Sequence, residues 1–82
     1  MPMVTVHHAF GFRFVIFVND HEPPHVHVFG QGGEAKIDLL VGGATVLAWV
    51  RGMSRADQRR LLAAARSRHA ILLNAWRTIH GG

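Results

Sequence analysis

The apolar residues of this chain change their period once, near Ser54, and that change limits the fold more than any other feature. Before it they recur at every second position; after it they recur at every third or fourth. The clearest strand is Glu34–Leu40, where Ala35, Ile37 and Leu39 alternate with Glu34, Lys36 and Asp38. Phe12–Val18 places Phe12, Phe14, Ile16 and Val18 on one face. Val15 and Phe17 on the other face predict a central strand covered on both sides. Met3–His8 precedes it across a hairpin at Ala9–Phe10–Gly11, with Gly11 as the flexible position. Asn19–Pro24 is a loop, because Pro23 and Pro24 exclude helix there. His25–Gly30 resumes as a strand, Gln31–Gly33 turns, Gly42–Gly43 turns again, and Ala44–Val50 is a last strand rich in β-formers.

Beyond Ser54 the pattern is helical. Ser54 and Asp57 form a capping-box-like start, and no proline or glycine interrupts residues 55–79. Leu62, Ala65, His69, Leu72, Trp76 and Ile79 are spaced to form one buried stripe, flanked by Leu61 and Leu73, and Gly81–Gly82 ends it. A bend near Ser67 would divide the helix into two. The expected fold class is α+β: an antiparallel meander of four or five strands within residues 3–50, then a C-terminal helix over residues 54–80 packed on one face. With 82 residues, the chain has room for one domain, residues 1–82.

Composition narrows the function classes. Without cysteine there is no disulfide, thiolate metal site or cysteine nucleophile. An apolar share of 49% with 17% charged residues argues against disorder. No apolar run approaches the roughly 18–20 residues of a membrane span, and the start has no basic segment leading into an apolar one. The expectation is a soluble cytoplasmic protein of a prokaryotic type with no membrane partner. Charge is divided along the chain. Residues 1–50 carry Arg13 and Lys36 against Asp20, Glu22, Glu34 and Asp38, whereas residues 51–82 carry seven arginines against Asp57 alone. A basic C-terminal third points to an anionic partner, a nucleic acid or an acidic protein.

The densest polar cluster is Asp20-His21-Glu22-Pro23-Pro24-His25-Val26-His27. His25 and His27 share one side of a strand, and Asp20 and His21 stand ahead of them on a proline-stiffened loop. Three readings stand open. His21, His25 and His27 with a carboxylate would suit zinc, iron or manganese. Alternatively, histidines beside Asp20 would serve as general acid and base in a metal-independent ribonuclease. The plain alternative is that His25 and His27 form the solvent face of a half-buried strand. His69 falls in the helical apolar stripe and is expected to be a satisfied core histidine, whereas His7, His8 and His80 are expected at the surface. Trp49 is expected in the core or at its rim. The glycines at 30, 32 and 33 lead into a strand rather than a helix and do not support a nucleotide fold.

On one straight helix Arg55, Arg59, Arg66 and Arg77 would fall within about 40° of one line. Arginine outnumbers lysine eight to one, and its fork suits phosphate or carboxylate. The plain alternative is a solvated helix face. Arg13, near the cluster in the first half, is a further phosphate-binding candidate.

Met1-Pro2, Gly11-Phe12-Arg13-Phe14, the run Asn19-Asp20-His21-Glu22-Pro23-Pro24-His25-Val26-His27-Val28, Glu34-Ala35-Lys36-Ile37, and a helix bearing His69, Leu72-Leu73 and Trp76 resemble a bacterial family. That family is domain of unknown function 4160. The likeness runs end to end, and Asp-His-x-Pro-Pro-His-x-His is its most specific mark. It implies a gene context beside another short family, domain of unknown function 2442, similar to toxin–antitoxin pairs. It also carries His21, His25 and His27 over as site candidates, with Asp20 beside them. The chain departs from many relatives at Ala48-Trp49-Val50-Arg51.

The leading expectation is a small protein of a toxin–antitoxin-like module that binds or cleaves RNA. The catalytic candidates are His25, His27, His21 and Asp20, and Arg13, Arg55, Arg59, Arg66 or Arg77 would meet phosphate. The alternatives are an interaction module holding an acidic partner protein through its arginines, or a metal-binding protein on His21, His25 and His27. No cofactor is expected, apart from the transition metal of that last alternative. The sequence leaves open whether the protein is an enzyme, whether it is toxin or antitoxin, and whether it forms homo-oligomers.

Overall fold

A computed structural model describes residues 2–81. Met1, and Gly82 of the helix-ending glycine pair, lie outside the described residues. The chain forms strands β1 Met3–Ala9, β2 Phe12–Phe17, β3 His25–Gly30, β4 Gly33–Leu39 and β5 Thr45–Arg51. A short 3₁₀ turn, Val41–Gly43, joins the last two strands. Helices α1 Arg55–Ser67 and α2 His69–His80 follow. The five strands form one sheet in chain order, every neighbouring pair antiparallel, so the α+β meander is as expected.

Two hairpins fix the register. Phe10 and Gly11, and Gln31 and Gly32, all have positive φ, the signature of two-residue turns whose twist matches the flanking strands. The second turn pairs Gly30 with Gly33 and thereby sets Phe29 opposite Glu34 and His27 opposite Lys36. Alternation then sorts the residues. Phe12, Phe14, Ile16, Val26, Val28, Ala35, Ile37 and Leu39 pack against Leu61, Ala65, Leu72 and Trp76 of the helices. Val18, expected on the same face, lies beyond the end of β2 and is exposed.

The expected bend is a break. Arg68, with φ −115° and ψ 18°, leaves the helical region between α1 and α2. Ser54 caps α1 by accepting from the Asp57 N–H, and Gly81 in the left-handed region ends α2. Beyond the break, the buried His69 ring bonds the Leu40 carbonyl through Nε2 at 2.7 Å. Neither helix is long and apolar enough to cross a membrane.

The second sheet face carries no helix among the described residues. Cross-strand pairing gives it two complete rows. One runs Thr5, Val15, His27, Lys36, Trp49; the other runs His8, Arg13, Phe29, Glu34, Arg51. Among the described residues β2 is therefore not covered by a layer on both sides, contrary to expectation; Val15 is nonetheless fully buried, enclosed by its neighbours within this face.

Candidate functional site

The histidine cluster forms where β3 begins. The loop from β2 is tied down at both ends: the Asp20 N–H donates to the Phe17 carbonyl and the Leu39 N–H to the Pro24 carbonyl. This turns the Asp20 carboxylate toward β3. Its Oδ2 lies 2.7 Å from His25 Nε2 and 3.4 Å from His27 Nε2. His25 Nδ1 lies 2.8 Å from the Pro23 carbonyl. Both ring nitrogens of His25 therefore face oxygen atoms, which fixes the orientation of the ring.

His25 is 4% exposed and does not form a solvent face with His27, contrary to the plain reading of the strand. The reason is α2, whose Trp76 ring lies 5.0 Å from the His25 ring. Trp76 also points Nε1 at Glu22 Oε1, 3.4 Å away, and stacks on His80 at 3.8 Å. His80 is thus half-buried rather than at the surface. His27 opens onto the helix-free face among Phe17, Phe29 and Trp49. Burial lowers its pKa first and the neighbouring His25 second, against the opposing pull of Asp20 and Glu34. That favours a neutral ring. Its Nδ1 is buried without a hydrogen-bond partner, and Glu34 Oε2 lies 4.0 Å from it.

Asp20, His25 and His27 thus come together, each offering a ligand atom within 4.8 Å of the others. His21 does not join them: it is exposed and has no hydrogen bond or ion pair among the described residues. Glu34, Glu22 and Trp76 complete the surroundings and were not among the expected site residues. Glu34 was within reach of sequence reasoning, since the Gln31–Gly32 turn sets it diagonally from His27.

A model of the family described as Domain of unknown function (DUF4160) matches residues 11–77. The chain belongs to this family. No curated protein and no solved structure matches it significantly. The span matched to DUF4160 contains the whole cluster and every arginine of the chain.

In this DUF4160 chain the arginines divide between the two sides of the sheet. Arg13 and Arg51 share the helix-free face with His27, and Arg51 is engaged by Glu34 at 3.2 Å and by the Trp49 ring. Arg55, Arg59 and Arg66 are exposed on α1. Arg55 and Arg59 line a groove with Leu47, Gln58 and Leu62. Arg77 stands apart from them. The break at Arg68 resets the helical phase, and Arg77 lines a separate groove with Val41, Gly42 and Asn74.

Proposed function

We propose that this protein is a cytoplasmic RNA-binding member of a toxin–antitoxin-like module, and that it holds RNA through the arginines of its helical layer. One observation carries the reading. All five acids have partners: Asp57 pairs with Arg60, Glu34 with Arg51, Asp38 with Lys36, Asp20 with the histidines, and Glu22 with Trp76. Among the described residues, Arg13, Arg55, Arg59, Arg66, Arg68 and Arg77 are exposed with no carboxylate at ion-pairing distance. All but Arg13 follow Ser54. A merely solvated face interleaves both signs; this surface offers forked cations with nothing to satisfy them.

Cleavage through the histidines ranks behind binding. Acid–base cleavage needs a general base and a general acid placed on opposite sides of the phosphate, whereas both Nε2 atoms here aim at one oxygen of Asp20.

Each arginine–phosphate contact releases condensed counterions. Arg59→Gln with Arg66→Gln is therefore expected to reduce the salt slope of binding to a short single-stranded RNA by about 1.4, two contacts at about 0.7 each. Fluorescence anisotropy across a salt series measures it. The melting temperature should barely move, since exposed charges contribute little to stability. An unchanged slope contradicts the proposal. Loss of binding to an acidic polypeptide, with RNA affinity intact, assigns the surface to a protein partner instead.

A further inference from the structure

We infer that Asp20, His25 and His27 form a site for one divalent first-row transition-metal ion, with zinc the best match to two imidazoles and a carboxylate. The site is independent of the RNA reading and lies on other residues.

Convergence is the first ground. Asp20 Oδ2, His25 Nε2 and His27 Nε2 are aimed at one another from a loop and a strand. An ion with bonds of about 2.1 Å in tetrahedral geometry sets its ligands about 3.4 Å apart. His27 Nε2 already lies 3.4 Å from Asp20 Oδ2. His25 Nε2, at 2.7 Å, needs to open by less than an ångström, and the half-exposed Asp20 side of the contact can supply that movement.

The outer contacts are the second ground. Metal-bound histidines usually donate their other ring N–H to a carbonyl or carboxylate, which fixes the tautomer. His25 Nδ1 does this with the Pro23 carbonyl at 2.8 Å. His27 Nδ1 has no hydrogen-bond partner and faces Glu34 Oε2 at 4.0 Å. His25 is thus held so that its Nε2 points at the shared centre.

The setting of the cluster is the third ground. Phe17, Phe29 and Trp49 wall the centre around His27, and Asp20 stays partly open to solvent.

Calorimetric titration of the full, untagged chain with Zn²⁺ tests the inference. We expect about one equivalent bound. Asp20→Asn and His27→Ala should each weaken binding by more than about 100-fold, as loss of one ligand among few implies. His21→Ala should leave it unchanged. Should His27→Ala fail to fold, Co²⁺ bound to the native protein decides: intense visible bands mark a low-coordinate nitrogen–oxygen site, and their absence overturns it. The site is equally overturned if no saturable binding occurs, if Asp20→Asn binds as tightly as the native chain, or if His21→Ala loses the metal as fully as Asp20→Asn.

Discussion

Replacing Trp76 by alanine is expected to remove about 3–5 kcal/mol of folding stability, the cost of deleting a large aromatic side chain from a packed core. Trp76 is 1% exposed and is the largest of the fully buried side chains. It belongs to two packed groups at once. One is the core that α2 lays on the sheet; the other is the stack of His80, Trp76 and His25 at the start of β3. A chain of this length has roughly 4–12 kcal/mol of stability in total, so the loss is a large fraction of it. Chemical denaturation followed by circular dichroism measures the change. Trp49→Ala is the control: Trp49 is 36% exposed on the helix-free face, and its loss should cost within about 1 kcal/mol. Equal costs for the two tryptophans would contradict the packing described.

Gly33→Ala is expected to cost about 1–3 kcal/mol for a purely steric reason. Gly33 opens β4, where the turn from β3 passes close against the exit of β5. A methyl group built there would lie 2.7 Å from the Gly52 carbonyl oxygen, 2.8 Å from Met53 Cγ and 3.1 Å from the Arg51 carbonyl oxygen. Two of these are backbone atoms that cannot rotate away, so β4 and β5 must part near the Glu34–Arg51 pair. Thermal melting reads the effect. An unchanged melting temperature would mean that the strands do not approach so closely.

Legibility in the sequence followed the origin of each feature. Strands and helices were legible because apolar period reports which face is buried, and the pairing of Glu34 with Phe29 follows from a two-residue turn at Gln31–Gly32. Residues 19–24 have no period, so nothing local shows that Asp20 turns inward and His21 outward. Backbone bonds to Phe17 and Leu39 decide it, and these belong to the tertiary structure. The burial of His25 was hidden for a similar reason. Alternation puts it beside His27, and only the arrival of Trp76 from α2 covers it. The division of the helix near Ser67 was expected, but its consequence was not drawn: with the break at Arg68 goes the single line of arginines that a straight helix would have presented. Phe10 in a left-handed turn position runs against the preference for glycine, asparagine or aspartate there.

The arginines proposed to hold RNA stand on the helical layer, apart from the histidine–aspartate cluster at the start of β3. Amide-resolved NMR during titration with a short single-stranded RNA tests this division most directly. The largest shifts are expected on Arg55, Arg59, Arg66 and their neighbours in α1, while the amides of Asp20, His25 and His27 stay in place. Shifts concentrated on Asp20 and β3, with α1 unmoved, would contradict it.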